Sequence, residues 1–352
     1  MNFLIMAGGT GGHIFPALAV AQYLQKQGHH IVWLGSENAM ETRLIPQYDI
    51  PIETLAIKGI RGNGILRKLA LPFTLIKTIK NALAIIKKHQ IHMAIGFGGF
   101  VTFPGGVAAK IASIPLIIHE QNAVAGLANR ALSKIATRTL YAFPNAFPNE
   151  DGWVGNPVRQ EIANLPTPEK RFAKRSGCLN VLIIGGSLGA KVFNEQLPAI
   201  MAKIPAEQRP NIRHQCGRNQ SEAVKDAYHQ LQIDAECSDF IHDMPQAYAD
   251  ADFVICRAGA STVAELSAAG LGGFLIPFPH AVDDHQTANA QVLVQVQAAE
   301  CIQQKDLNIN EMAHKIQQLT RKQCLQQAQN ARTVAKVDAT KQIAQTALSF
   351  FK

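Results

Sequence analysis

The sequence has no Cys-x-x-Cys pair. Its six cysteines, Cys178, Cys216, Cys237, Cys256, Cys301 and Cys324, are scattered. That spacing gives neither a zinc site nor a disulfide framework, and it fits a reducing compartment. No apolar run approaches the roughly 18 to 20 residues needed to span a bilayer, because Lys77 and Lys80 interrupt the best stretch, Leu66 to Ile86. The apolar Met1 to Met6 has no basic leader and runs into a glycine loop instead of a cleavage site, so it is expected to be a buried first strand. Acidic residues are scarce in one half only. Through Arg159 there are 15 Lys and Arg against 7 Asp and Glu, whereas the rest balances at 19 against 19, so the whole net charge of +8 lies in the N-terminal half. Such asymmetry points to an anionic partner: nucleic acid, an acidic lipid surface or a phosphorylated substrate. With 7% aromatic residues and no recognised binding motif, nothing accompanies the charge that would favour nucleic acid.

What the sequence does have is hydrophobic content, 47% over 352 residues, enough for two domains with their own cores. The two halves open alike. Phe3 to Met6 leads into Ala-Gly-Gly-Thr-Gly-Gly and a helical pattern, and Val181 to Ile184 leads into Gly-Gly-Ser-Leu-Gly-Ala and another. Short apolar runs at Ile31 to Leu34, Met93 to Ile95, Leu116 to Ile118 and Thr139 to Ala142 alternate with helical stretches, as do Ile212 to Gln215, Phe253 to Cys256 and Gly273 to Ile276. The alternation predicts an α/β protein with two doubly wound parallel-sheet domains. The Pro-, Gly- and Asn-rich stretch Asn145 to Arg159 places the hinge near Asn156-Pro157, giving domains 1–156 and 157–339. Ligands are expected at the strand C-termini, in a cleft between the two.

Three glycine loops follow predicted strands. In Gly8-Gly9-Thr10-Gly11-Gly12-His13, backbone N–H groups and a positive helix end would meet a phosphate or pyrophosphate; a tight turn without a ligand is the other reading. Gly185-Gly186-Ser187-Leu188-Gly189 repeats the pattern, with the Ser187 hydroxyl as a further donor. Gly96 to Phe100, leading to Pro104-Gly105-Gly106, is a third candidate for a diphosphate or a sugar. A nicotinamide site, with Glu37 as its acidic residue, fails because Ile14 stands where that fingerprint needs Gly or Ala.

Cys256 to Glu265 follows a strand and opens a helix. Glu265 can accept two hydrogen bonds from a ribose diol while Ser261, Thr262 and their amides hold phosphates. The same string also reads as a helix cap, with Ser261 or Thr262 as cap and Glu265 completing a capping box. Asp250-Ala251-Asp252 spells the acidic pair of metal-dependent glycosyltransferases, yet it sits just before a buried strand and reads more simply as a helix-to-strand connection.

In this order, Gly8 to His13, Gly96 to Gly106, His119-Glu120-Gln121-Asn122, Gly155 to Arg159, Gly185 to Ala190, Arg257 to Glu265 and His280 to Gln286 with Asn289 make the chain resemble, nearly end to end, the MurG family. These are UDP-N-acetylglucosamine:N-acetylmuramyl-(pentapeptide) pyrophosphoryl-undecaprenol N-acetylglucosamine transferases, GT-B enzymes of glycosyltransferase family 28. The resemblance implies two Rossmann-like domains, the donor held mainly by the C-terminal one, and a last helix, about 340–352, that joins the first domain. It implies Glu265 on the uridine ribose, the Ile241 backbone on uracil, Ser187 with Ala260, Ser261, Thr262, Val263 and Ala264 on the diphosphate, and Gln286 on GlcNAc hydroxyls. Thr10, Gly11, Gly12, Asn122 and Arg159 would complete the donor site. Phe100 and Thr102-Phe103-Pro104 depart from the family's Tyr and Ser-Gly-Pro, removing one hydroxyl and one glycine from the acceptor side.

The activity so implied is inverting transfer of N-acetylglucosamine from UDP-GlcNAc to lipid I, giving lipid II for peptidoglycan, with no cofactor and no metal. Inversion by one displacement needs a base, for which His13 is the candidate; a neutral histidine that orients the loop or donates to a phosphate is the alternative role. A non-catalytic nucleotide-sugar sensor and another UDP-sugar transferase of GT-B fold are the rival functions. Ile76, Ile79, Leu83 and Ile86 share one face of a predicted helix from Pro72 to His89, with Lys77, Lys80, Lys87 and Lys88 on another. Together with Phe73 and the preceding loop carrying Arg61, Leu66, Arg67 and Lys68, it reads as a docking patch for anionic lipid. The expected location is peripheral, on the cytoplasmic face of the inner membrane, with cell-wall synthesis and division proteins as partners by family resemblance.

Overall fold

The computed structural model describes residues 1–57, 65–144, 146–148, 150–186 and 189–351, with the side chains of 65–71, 150 and 282 excepted. Arg61 and Ser187 therefore lie outside the described residues, and Leu66, Arg67 and Lys68 are described in backbone only.

The chain divides into two compact units, Met1–Val158 with Val337–Lys352, and Arg159–Lys336. The first carries six strands, β1 (Asn2–Ala7), β2 (His30–Ser36), β3 (Ile52–Leu55), β4 (Met93–Gly98), β5 (Leu116–Glu120) and β6 (Arg138–Tyr141), in the order β3-β2-β1-β4-β5-β6. Every pair is parallel, with Ile5 opposite Trp33 and Ile95 on either side. A sheet buried on both faces needs a continuous apolar run in its central strand, and Phe3 to Ala7 of β1 supply it. Phe3 and Ile5 pack with Ile14, Ala17 and Leu24 of the helix Gly11–Lys26, whereas Leu4 and Met6 pack with Ala82, Ile85 and Ala108 on the opposite face. Each such side chain contributes about 1.5–3 kcal/mol on burial. The final helix, Ala339–Leu348, adds Ile343, Ala344 and Ala347 to the Phe3 side.

The second unit repeats the design with β7 (Asn180–Ile184), β8 (Asn211–Gln215), β9 (Glu236–Ser238), β10 (Phe253–Cys256), β11 (Gly273–Leu275) and β12 (Ala299–Cys301), ordered β12-β11-β10-β7-β8-β9. Taken from its own first strand, this is the same winding as in the first unit. Each sheet thus has one switch point, between β1 and β4 and between β7 and β10, where successive connections leave in opposite directions and the strand ends splay into a crevice. The glycine loops at 8–12, 98–99 and 185–189 and the segment 257–259 all follow these four strands.

Two expectations change. The helix read from Pro72 extends back to Ile65, so Leu66, Arg67 and Lys68 belong to it and not to a loop. Its buried face runs through Thr78, Ala82, Ile85 and Ile86, with Leu75, Ile79 and Leu83 half-buried beside them. Ile76 falls off that face and is exposed with Phe73, Lys77 and Lys80, because a 3.6-residue period carries position 76 round toward 73, 77 and 80. Pro104, Gly105 and Gly106 are buried inside the helix Thr102–Ile111, not in a ligand loop. A side chain at Gly105 would run into Met6 and Leu34, so this glycine sets helix-to-sheet spacing.

Candidate functional site

In the first unit, Thr10 is the exposed N-cap of the helix Gly11–Lys26 and makes no side-chain cap bond; Gly11, Gly12 and His13 form the first turn. The preceding glycines are committed to the protein. Gly9 N–H donates to Glu41 at 3.3 Å, and Ser36 N–H donates to the same fully buried carboxylate at 2.8 Å. Glu41, not Glu37, is the acid that reaches back from the end of β2, and it serves backbone amides. With the Gly9 amide taken by Glu41 and the Gly8 amide by the Gly98 carbonyl, the remaining amides of this loop lie at its Thr10–Gly12 end. The loop is closed from β4: Gly99 has φ +87, and a Cβ there would strike the Gly8 carbonyl.

His13 lies over Gly98, where a Cβ would come 2.8 Å from its Nδ1. Its Nδ1 is 2.8 Å from Gln121 Oε1. Gln121 Nε2 in turn is 3.0 Å from His119 Nδ1 and donates to the His119 carbonyl at 2.9 Å, and His119 Nε2 is 2.8 Å from the Gly155 carbonyl. Asn156 Nδ2 donates to the Gln121 carbonyl at 3.0 Å. Two sequence motifs, His119 to Asn122 and Gly155 to Arg159, are thereby joined at their buried ends. Burial lowers the His119 imidazole to about 4, so it is neutral at physiological pH. Glu120 accepts from the N–H groups of Asn122 and Gly126 and from Asn129 Nδ2. Asn122 Nδ2 also turns to Glu120, at 3.2 Å, so this loop amide is held by its neighbour. Thr102 Oγ1 donates to the Gly98 carbonyl at 2.7 Å and is fully buried, while Phe100 is exposed.

In the second unit, the helix Ala260–Ala269 has Gly259 as N-cap and no side-chain cap bond. The capping-box alternative therefore fails: neither Ser261 nor Thr262 is the cap, and Glu265 points elsewhere. The first intrahelical bond runs from Val263 N–H to the Gly259 carbonyl, which leaves the amides of Ala260, Ser261 and Thr262 ahead of it. Ser261 Oγ is buried with no hydrogen-bond partner among the described residues. Leaving such a hydroxyl unpaired costs about 1–3 kcal/mol, and an anion at the positive helix end would relieve it.

One turn on, the Glu265 carboxylate accepts from Arg159 Nε at 3.1 Å and Nη2 at 2.9 Å, and from the Tyr248 hydroxyl at 3.1 Å. Burial raises its pKa, and the Arg159 charge and hydrogen bond oppose the rise. Tyr248 is pushed well above the usual phenol value, by burial first and by Glu265 second. Ile241 follows β9 with its side chain buried, three residues before the helix Met244–Asp250 that carries Tyr248. Gln286, in the helix His285–Gln295, accepts from Phe278 N–H at 2.9 Å, and the buried Asn289 of that helix donates to the Ala258 carbonyl. Arg257 is turned inward to the Ile276 and Pro277 carbonyls and to Gln304, over the Phe193 ring, so it laces the loop instead of meeting a ligand. Val263 and Ala264 complete the first turns of the helix; Val263 is fully buried.

The acidic pair resolves into a structural cluster. Asp252 is fully buried between Arg175 at 2.5 Å and Arg321 at 3.3 Å and accepts from Asn180 N–H at 2.8 Å, while Asp250 receives Gln246 on the surface. No group of three or more His, Cys, Asp or Glu suited to a metal occurs among the described residues. No described helix is long and apolar enough to cross a membrane.

Tyr248 and Glu41 escaped the reading of the sequence. Asp243 and Pro245 do mark the start of the helix bearing Tyr248, but its partner Glu265 lies 17 residues on.

Residues 3–141 match the glycosyltransferase family 28 N-terminal domain and residues 180–346 the family 28 C-terminal domain. A Neisseria gonorrhoeae relative is 57% identical over 348 residues, 99% of this chain and 98% of the relative. It is named UDP-N-acetylglucosamine--N-acetylmuramyl-(pentapeptide) pyrophosphoryl-undecaprenol N-acetylglucosamine transferase. A Cupriavidus necator protein of the same name is 47% identical over 98% of this chain and 96% of its own length. The crystal structure of Acinetobacter baumannii MurG superposes with a TM-score of 0.89 at 41% identity, covering 99% of both chains. With two sheets of identical winding, the fold is GT-B, and the chain belongs to glycosyltransferase family 28.

Proposed function

We propose that this chain transfers N-acetylglucosamine from UDP-GlcNAc to the muramyl C4 hydroxyl of undecaprenyl-pyrophosphoryl-MurNAc-pentapeptide, lipid I, forming lipid II with inversion at the anomeric carbon. The observation that carries the reading is the unpartnered Ser261 hydroxyl at an uncapped helix start, one turn before the Glu265–Arg159 pair, in a family 28 chain. Those groups match the two polar parts of a nucleoside diphosphate: amides and a hydroxyl for the phosphates, a carboxylate for the ribose diol. Ser187 adds a phosphate donor, the Ile241 backbone reads uracil, and Gln286 reads the sugar hydroxyls. Thr10, Gly11, Gly12 and Asn122 supply the remaining donors.

In the transfer, the acceptor oxygen bonds to the anomeric carbon as the bond from that carbon to the UDP oxygen breaks. The hydroxyl proton passes to His13, and UDP departs with the added negative charge, stabilised by the helix start at Ala260–Val263. This scheme calls on no metal. The lipid-linked acceptor gives the exposed Phe73, Ile76, Lys77 and Lys80 a role as a docking surface on anionic lipid at the cytoplasmic face of the membrane, with Arg61, Leu66, Arg67 and Lys68 extending it.

The test is UDP release from UDP-GlcNAc by the purified protein, with and without a soluble lipid I analogue, in EDTA. Release that requires the analogue and survives EDTA is expected. Nucleotide-sugar binding without release would instead make the chain a sensor.

A further inference from the structure

We propose that Gln121 and His119 are positioning residues that fix the tautomer of His13, so that the neutral imidazole carries its proton on Nδ1 and presents Nε2 as the base. The proposal rests on the reading of His13 as base, and it adds the device that decides which nitrogen does the work.

The argument uses only the direction in which hydrogen bonds can run. A main-chain carbonyl can only accept. His119 Nε2 lies 2.8 Å from the Gly155 carbonyl, so that nitrogen carries a hydrogen. The ring is fully buried and its pKa is lowered to about 4, so it holds one proton only and its Nδ1 is a bare acceptor. The second fixed point is the His119 carbonyl, 2.9 Å from the Gln121 amide, which identifies the facing atom as nitrogen. Gln121 Nε2 therefore spends its two hydrogens on the His119 carbonyl and on His119 Nδ1 at 3.0 Å. Its Oε1, an acceptor, is left 2.8 Å from His13 Nδ1, which must be the N–H.

Reversing the amide would set its oxygen against a carbonyl and a bare ring nitrogen at once, in a buried place. The two carbonyls thus polarise the whole chain from Gly155 to His13. The Gln121 backbone is held from Asn156, and the His13 ring is seated over Gly98, whose φ of +112 and missing side chain leave it room. The groups that face the chain are few. Among the described residues, the Phe97 ring lies 5.6 Å from that of His119, Glu120 is the charge that acts on His119, and Gln121 Oε1 is a polar partner of His13. As His13 takes the acceptor proton on Nε2, the Gln121 oxygen steadies the imidazolium through its Nδ1–H, and no proton moves along the chain.

The test is ring-15N NMR of histidine-labelled full-length protein near pH 8, with the His13 signals assigned by their loss in His13→Asn. The expected wild-type signature is a protonated Nδ1 and a bare Nε2. In Gln121→Met the Nε2–H form should appear, with kcat falling about tenfold or more, as wrong-tautomer catalysts do, and KM for UDP-GlcNAc moving about twofold or less. A wild-type His13 protonated on Nε2, or a tautomer unaltered in Gln121→Met, overturns the proposal without any need for a variant that folds poorly. A fixed Nδ1–H lost in Gln121→Met with turnover unchanged leaves the tautomer device standing and removes His13 as base.

Discussion

Arg159 meets Glu265 through two nitrogens on the same carboxylate oxygen, Nε at 3.1 Å and Nη2 at 2.9 Å, across 106 residues of sequence. Arg159 and Tyr248 both oppose the protonation that burial of this carboxylate favours. Glu265→Ala should weaken UDP-GlcNAc binding by roughly 10- to 100-fold, in line with about 1.5–3 kcal/mol for hydrogen bonds to a charged group. Affinity for a soluble acceptor analogue should be unchanged. Calorimetric titration of each ligand checks this, and equal loss of both would remove the ribose assignment.

Ser261→Ala separates binding from folding. The hydroxyl has no partner among the described residues, so its removal should leave thermal stability within about 0.5 kcal/mol or raise it slightly. KM for UDP-GlcNAc should rise roughly 10- to 100-fold, as for one lost hydrogen bond to a charged group. A clear drop in melting temperature would mean the hydroxyl serves the fold.

Asp252→Asn should act through stability alone. It leaves Arg175 and Arg321 without their buried counter-charge, and breaking such a cluster costs about 3–5 kcal/mol. Denaturant unfolding should register that loss while UDP release per folded molecule is insensitive to EDTA. Activity restored to the variant by added divalent cation would argue for a metal role.

The surface helix makes a prediction at the membrane. Lys77→Glu with Lys80→Glu should sharply reduce sedimentation with anionic vesicles, since each basic residue near such a surface is worth about 1 kcal/mol. Turnover of a detergent-soluble acceptor should be spared. Unchanged vesicle binding would dismiss the docking surface.

His214 offers a pH test. Burial lowers its pKa from 6.5 to about 4 in the fold, so between those values the unfolded chain binds a proton that the folded chain does not. The sign follows: stability is present in full above the unfolded value and falls as pH drops through the window, by up to about 3 kcal/mol for this residue. His214→Phe should flatten the acid side of a melting-temperature profile between pH 6.5 and 4, and an unchanged slope would assign that loss to other groups.

The sequence announced the central strands because they are buried on both faces and so read as unbroken apolar runs, as Phe3 to Met6 and Phe253 to Cys256 do. It was silent on β3, β9 and β12. These are short edge strands with polar positions that are half-exposed, as Glu53 is, or exposed, as Glu236 and Glu300 are, and such strands carry no such signal. The glycine loops were legible as turns, but the division of labour within them was not. That the Gly9 amide serves Glu41, or that Gly105 spaces a helix from its sheet, depends on neighbours distant in sequence. The same holds for the site: His119 to Asn122 and Gly155 to Arg159 stood out as separate motifs, while the bond from His119 to Gly155 crosses 36 residues.

The return of Val337–Lys352 to the first unit bears on the order in which the protein is made. Ile343, Ala344 and Ala347 fill the side of the first sheet that Phe3, Ile14 and Ala17 open, yet they are made only after the whole of the second unit. During synthesis the first unit waits with an uncovered apolar face until the helix beyond the second unit has been made. A nascent chain, or one clipped before Ala339, would therefore expose that face to chaperones and proteases, which makes the docking of the helix Ala339–Leu348 the step that completes the first unit.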